Sequence, residues 1–98
     1  MELDKIRQGI DAIDDKIADL YEERMKLVGQ VSEAKKQSGK AVNDPEREKN
    51  ILLRVSDRVS DGNQVYLKRV FETIFETSKA YQTMNAEYHS EIGEKIKE

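Results

Sequence analysis

Several charged or polar side chains in this sequence occupy positions that a helical pattern would otherwise give to apolar ones. Arg24 stands between Leu20 and Leu27 in such a pattern, and it needs a partner because an unpaired guanidinium is costly to bury. Lys35 lies within about 20° of Arg24 around an ideal helix and about 16 Å further along its axis. The two cations therefore face the same side and could bind one small anion.

More polar residues overlook apolar faces further along the chain. Arg47 and Glu48 each lie one helical turn before an apolar residue of the next predicted helix. Ser78 and Gln82 continue, at a spacing of four residues, an apolar stripe that includes Ile74. These side chains could add two hydrogen-bonding groups, a cation and a carboxylate to the same site.

Arg7 lies roughly 100° away from Arg24 around the first helix, so it cannot easily serve the same pocket of its own chain. In an antiparallel dimer it could enter the pocket of the partner. Four cations and one carboxylate suit a small dicarboxylate, since arginine binds carboxylates in bidentate fashion. The set holds no activated nucleophile or metal cage, so we expect no metal and no cofactor, and any catalysis by positioning and electrostatics. The candidate residues are Arg7, Arg24, Lys35, Arg47, Glu48, Ser78 and Gln82.

Most of these residues also have a purely structural interpretation. It comes first for Arg24, Lys35, Arg47 and Glu48 when each is taken alone, and the two interpretations are balanced for the stripe at Ser78. Arg24 could fix the register of paired helices or form an ion pair with a partner helix. Lys35 suits the dipole of a helix C-terminus, and Arg47 and Glu48 suit a solvated first turn. The stripe at Ser78 could simply end as its helix emerges into solvent.

The helix that carries Arg24 and Lys35 is predicted over residues 2–38, with Gly39 as its stop. It would measure about 54 Å, whereas a compact domain of this size is roughly 30–35 Å across. Its apolar seam would stay in water unless a second chain covered it, which predicts an extensive, intertwined homodimeric helical bundle. A break at Gly29 is the alternative. The seam has alternating spacings of three and four residues, typical of a coiled coil, and consists of Leu3, Ile6, Ile10, Ile13, Ile17, Leu20, Arg24, Leu27, Val31 and Ala34.

Two more helices are predicted, at about residues 44–60 and 63–88, with residues 89–98 as a frayed tail. Asp44 before Pro45 is typical of a helix start, and the segment 60–63 is typical of a turn. One proline and five glycines among the 98 residues suit helices better than sheets. We therefore expect a single all-α domain over residues 1–98, with three helices per chain and a very long first helix.

The composition also excludes several classes of function. A net charge of −3, with acidic and basic residues interspersed, predicts no nucleic-acid partner. There is no cysteine, and His89 is the only histidine, so disulfides, thiolate chemistry and a zinc site are not expected. No apolar run approaches the roughly 20 residues that span a bilayer, and no secretory signal is recognisable. We expect a cytoplasmic protein with no membrane partner.

The candidate residues lie in short segments whose order and spacing are specific: Leu3-Asp4-Lys5-Ile6-Arg7, Ile13-Asp14, Glu23-Arg24, Val31-Ser32-Glu33-Ala34-Lys35, Val42-Asn43-Asp44, Arg47-Glu48, Ser78 and Gln82. Over about residues 3–82 this set resembles the all-helical class of chorismate mutases, as in the mutase domain of bacterial bifunctional aromatic-pathway enzymes. The resemblance implies a dimer of three-helix chains whose long first helices span both active sites. It also implies the conversion of chorismate to prephenate, a pericyclic Claisen rearrangement in phenylalanine and tyrosine biosynthesis.

The same resemblance implies a role for each candidate residue that binds a carboxylate. Arg24 and Ser78, together with Arg7 of the partner subunit, would bind the two carboxylates of chorismate. The enzyme would need no covalent bond to its substrate. It would select the compact diaxial conformer and stabilise the charge separation that develops as the ether bond breaks.

The remaining roles concern the ether oxygen and the ring hydroxyl. By resemblance, Lys35 and Gln82 would donate hydrogen bonds to the ether oxygen. Glu48, helped by the backbone near Asp44, would accept a hydrogen bond from the ring hydroxyl, and Arg47 would line the same pocket. Catalysis would thus depend mainly on Lys35, Gln82 and Arg24.

Two other functions stay open at this point. An isochorismate-pyruvate lyase would share the fold and use a similar pocket. A dimeric helical interaction module without catalysis would use Arg24 only for structure, so that Arg24→Leu would stabilise its dimer and harm nothing else.

Overall fold

Three helices make up the computed structural model, which describes residues 2–87: α1 (Glu2–Ser38), α2 (Pro45–Ser56) and α3 (Asp61–Glu87). No strand occurs in this range, so the predicted all-α class with a very long first helix is confirmed. The predicted frayed tail and His89 lie outside the described residues. None of the helices in this range is long and apolar enough to cross a membrane.

Helix α1 runs without interruption for 37 residues. It continues through Gly29, so the alternative of a break at this glycine is not what the structure shows. Glu2 and Asp4 in the first turn and Lys35 and Lys36 in the last complement the helix dipole. The helix stops at Gly39, whose φ of 72° is left-handed, and the Lys40 amide donates to the Lys35 carbonyl at 3.0 Å. This bond closes a Schellman-type end.

Helix α2 begins as its sequence predicts and ends earlier. The Asp44 carboxylate caps it by accepting a hydrogen bond from the Arg47 amide at 3.1 Å, and Pro45 is its first residue. It ends at Ser56 instead of about residue 60, because the next backbone bonds span three residues instead of four: the Arg58 amide donates to the Val55 carbonyl at 3.0 Å and the Val59 amide to the Ser56 carbonyl at 3.4 Å. The Ser56 carbonyl also accepts a hydrogen bond from the Gln64 side chain at 2.9 Å. Helix α3 then begins at Asp61, two residues before the predicted start.

Helix α3 packs against both other helices, whereas α1 and α2 do not pack directly against each other within the described residues. The buried apolar side chains are Ile51 of α2 and Phe75 of α3, each 6% exposed. The buried polar side chains, Ser78 and Gln82, are buried to the same degree. The space between α1 and α2 is therefore a cavity, and Ser78 and Gln82 of α3 form a polar part of its wall.

The apolar seam of α1 remains in solvent within one chain. Its apolar members from Leu3 to Val31 are 45% to 62% exposed, and α1 has no buried residue. The Cα extents of 53 × 36 × 15 Å describe a long, flat chain with a radius of gyration of 17.3 Å, above the roughly 13 Å of a compact domain of this length. The homodimer that would cover this seam stays a prediction.

Candidate active site

A cavity of about 260 Å³ lies where α1 and α2 are held apart by α3. This volume suits a small molecule. Its charged lining side chains are four cations and two carboxylates, so it carries two net positive charges in a chain whose own net charge is −3. The lining residues are Arg24, Leu27, Val28, Val31, Lys35, Val42, Asp44, Arg47, Glu48, Ile51, Phe75, Ser78, Lys79 and Gln82.

Arg24 and Ser78 form the link between α1 and α3 at the cavity wall. Arg24 Nη1 donates a hydrogen bond to Ser78 Oγ at 2.6 Å, and this hydroxyl in turn donates to the Ile74 carbonyl at 2.6 Å. Nearby, the Tyr21 hydroxyl donates to Thr77 Oγ1 at 2.8 Å. The bond to Ser78 fixes the direction of the guanidinium before any ligand arrives, and leaves its other N–H groups for an anion.

Burial and a neighbouring cation both act on the charge of Arg24. Burial lowers the pKa of Arg24 from its ordinary value, the positive charge of Arg47 lowers it further, and Tyr21 acts in the opposite direction. The guanidinium still remains charged, since its ordinary pKa lies far above neutral pH. An anion placed between Arg24 and Arg47 would relieve both unfavourable effects.

Lys35 enters the cavity from the end of α1. Its ammonium donates to the Val42 carbonyl at 3.0 Å, which holds the loop between α1 and α2 over the cavity. A lysine ammonium has three N–H donors, so this bond leaves donors for a ligand. Lys35 is half-buried, in keeping with a position at the rim of a hollow rather than on an open surface.

Glu48 lies on the opposite side of the cavity, in the first turn of α2. Its Oε2 atom forms an ion pair with Lys79 Nζ at a distance of 3.1 Å. Asp44 also lines the cavity, with one carboxylate oxygen engaged in capping α2. The dipole at the start of α2 favours the negative charge of Glu48.

Gln82 is the most unusual residue of the lining. It is 6% exposed, and its Oε1 atom is buried without a hydrogen-bond partner among the described groups. A buried amide oxygen without a partner costs free energy, so a residue kept in this state is a candidate for function. Ser78 and Gln82 lie one turn apart on the same face of α3.

Seven of the eight residues that the sequence or the resemblance singled out line this cavity: Arg24, Lys35, Asp44, Arg47, Glu48, Ser78 and Gln82. Arg7 does not line it; it is exposed and roughly 25 Å from Arg24 along α1. Their roles stay predictions. The sequence interpretation missed Lys79, although its place three residues before Gln82 on α3 would have put it on the same helix face.

Comparison with known proteins agrees with this arrangement. Residues 6–83 match the family described as chorismate mutase type II. A chorismate mutase of Methanocaldococcus jannaschii is 41% identical over 83 residues, which cover 82% of this chain and 83% of that protein. No solved structure matches the chain significantly. The matched segment contains all eight predicted site residues, the resemblance seen in the motifs is confirmed, and the chain belongs to the type II chorismate mutase family.

Proposed function

We propose that this protein is a chorismate mutase, an isomerase that converts chorismate to prephenate by a Claisen rearrangement in aromatic amino acid biosynthesis. The observation that carries the proposal is the cavity with two net positive charges, lined by cations and amide and hydroxyl groups and built from the segments that define the family. Chorismate carries two carboxylates, an ether oxygen and a ring hydroxyl. Each of these groups has a complementary side chain at hand.

Arg24 and Ser78 bind a carboxylate from one side of the cavity in this proposal, Ser78 by turning its hydroxyl proton from the Ile74 carbonyl to the ligand. Their mutual hydrogen bond of 2.6 Å supports the assignment, because it holds the guanidinium in one orientation. Arg7 of the partner subunit binds the other carboxylate. The exposed seam of α1 supports a homodimer, since covering it would bring the N-terminal half of one α1 onto the other chain.

Lys35 and Gln82 donate to the ether oxygen, where negative charge grows as the carbon–oxygen bond breaks. Donors aimed in advance at developing charge stabilise a transition state without further reorganisation. The donors that Lys35 keeps beyond its bond to Val42 and the burial of the Gln82 amide support these roles. The charge separation then meets an ammonium and an amide.

Glu48, with the backbone near Asp44, accepts a hydrogen bond from the ring hydroxyl, and Arg47 lines the pocket beside it. Contacts at the two carboxylates select the compact diaxial conformer in which the two reacting carbons are close. Holding that conformer removes an entropic part of the barrier. The cofactor-free chemistry requires only binding, orientation and electrostatic stabilisation.

The test is to mix the purified protein with chorismate and follow its disappearance by absorbance while prephenate is identified by mass and chromatography. We expect prephenate with the native protein and at least about a hundredfold loss in Arg24→Ala, which should keep its helical circular dichroism. Isochorismate in a parallel reaction separates the lyase alternative, which would release pyruvate. Failure of the folded native protein to produce prephenate would refute the proposal.

A further inference from the structure

Lys79 is a cation of the cavity wall that has no role in the function proposed above. It follows Ser78 on α3 and points across the cavity edge to α2, where Lys79 Nζ lies 3.1 Å from Glu48 Oε2. The same ammonium donates to Asn43 Oδ1 at 3.4 Å. Lys79 thus connects α3 to both the start of α2 and the loop that precedes it.

The surroundings of this ion pair distinguish it from an ordinary surface contact. The side chains of Lys79 and Glu48 are 35% and 27% exposed, and both line the cavity. Lys79 holds only the Oε2 atom of Glu48. The Oε1 atom has no hydrogen-bond partner among the side chains that the structure describes, so it can accept a further bond.

A glutamate at the rim of a cavity has three side-chain torsions, and fixing them when a ligand binds weakens the binding. An ammonium that already holds one carboxylate oxygen reduces this loss. It also keeps the carboxylate directed into the cavity, although Arg47 and Lys35 lie nearby as competing cations. The position of Lys79 is therefore suited to preparing Glu48 for a hydroxyl donor.

We propose that Lys79 is a positioning residue that orients Glu48 to accept the ring hydroxyl of the substrate, and thereby sets the preference for a hydroxylated ring. The inference rests on the proposed function of the site. Lys79 acts through Glu48 and does not touch the substrate. A bond to the hydroxyl is present in both the bound substrate and the transition state, so its loss raises KM and leaves kcat nearly unchanged.

The experiment compares Lys79→Met with the native enzyme on chorismate and on an analogue whose ring hydroxyl is replaced by hydrogen. We expect Lys79→Met to raise KM for chorismate roughly fivefold, the size of a partly exposed ion pair, with kcat within about twofold. On the analogue the two enzymes should have equal KM values. Lys79→Arg, which keeps the charge, should restore most of the affinity for chorismate.

Two further variants test whether Lys79 acts through Glu48. In the Glu48→Gln background, Lys79→Met should change KM less than about twofold, because the ion pair is already gone. Lys36→Met is the control: it removes an exposed lysine that does not line the cavity and should leave KM unchanged. Circular dichroism confirms that each variant is folded.

Several outcomes would overturn the inference. A loss in Lys79→Met that persists with the analogue or in the Glu48→Gln background would mean that Lys79 contacts the substrate directly. If Lys79→Met lowered kcat by the same factor by which it raised KM, Lys79 would instead act on the reacting atoms. A native enzyme that is inactive towards chorismate would refute the proposed function itself, whereas native activity with no effect of Lys79→Met would refute only the role of Lys79.

Discussion

Lys35 and Glu48 face the same cavity with opposite charges, and in the proposed mechanism they act at different stages of the reaction. Lys35 is assigned to charge that appears only as the ether bond breaks, and Glu48 to a hydroxyl that is present throughout. We expect Lys35→Ala to lower kcat by on the order of a hundred- to a thousandfold. Glu48→Ala should act mainly on KM and lower kcat less than about tenfold. Steady-state kinetics on chorismate measures both.

The control for this comparison is Lys36→Ala. Lys36 shares the last turn of α1 with Lys35, but it is exposed and does not line the cavity. Its removal therefore takes away a favourable interaction with the helix dipole and leaves the site unchanged. Its kcat should match that of the native enzyme. Equal kcat losses in Lys35→Ala and Glu48→Ala would contradict the assignment of the two residues.

Gln82→Glu tests the donor to the ether oxygen through pH. An amide donates a hydrogen bond at any ordinary pH, whereas the new carboxyl donates only when protonated. Burial at this position raises the pKa of the new carboxyl and the nearby cations lower it; in either case the active form exists below that pKa. We expect kcat/KM to fall about tenfold per pH unit above it, while the native profile has no such limb. A flat profile between about pH 5 and pH 8 in the variant would rule out the donor role.

The side chains that could be predicted from sequence are those that break an apolar period. Arg24 interrupts the seam of α1, and Ser78 and Gln82 extend the stripe of α3, so helix geometry predicts the face on which each of them lies, and the structure shows that these faces meet in one cavity. The contact between Lys79 and Glu48 could not be found in this way. It depends on the distance between two helices that lie far apart in sequence, and a charged residue beside a polar one does not stand out in a chain that is 38% charged.

At the scale of single helices, the same substitution should change stability in opposite directions at two glycines, one inside α1 and one at its C-terminal cap. A Cβ at Gly29 would meet Tyr81 Cε1 at 3.6 Å, an ordinary contact, and alanine favours the interior of a helix. We expect Gly29→Ala to raise the free energy of unfolding by about 0.5–1 kcal/mol. Gly39 has a φ of 72°, so Gly39→Ala should lower it by about 1–2 kcal/mol. Urea unfolding at equal protein concentration measures both.

These two variants are each other's control, because they add the same methyl group to the same helix. A loss of stability in Gly29→Ala comparable to that in Gly39→Ala would mean that Gly29 is needed for a close approach that a single chain does not contain. Such a contact would come from a second chain packed against α1.

Helix ends differ in how far the sequence determines them. The start of α2 is local, since Asp44 and Pro45 supply the cap and the first residue themselves, and it was predicted correctly. At the end of α2, by contrast, the Ser56 carbonyl accepts a hydrogen bond from the Gln64 side chain of the next helix. A bond between residues eight positions apart, made through a turn, leaves no periodic signal in the sequence.

At the scale of the whole molecule, the length of α1 is the main feature that favours the proposed assembly of two chains. The helix is almost as long as the longest extent of the chain, 53 Å, and carries its apolar seam in solvent. Covering that seam with a second copy would make Arg7 part of the partner's site. The sequence predicted the length and the seam, but the relative position of two chains depends on packing that one sequence does not specify.

Complementation between two inactive variants tests whether each site is built from two chains. Arg7→Ala and Arg24→Ala should each be nearly inactive alone, since each lacks one arginine at both sites. After subunit exchange, half of the dimers are mixed, and in a mixed dimer one site has Arg24 from one chain and Arg7 from the other. We therefore expect the mixture to regain about a quarter of the native activity, because only one site in four is complete. If Arg7 served its own chain, every site in a mixed dimer would lack one arginine, and mixing would restore no activity. Native mass spectrometry counts the mixed dimers, so that a lack of activity cannot be mistaken for a failure of subunit exchange.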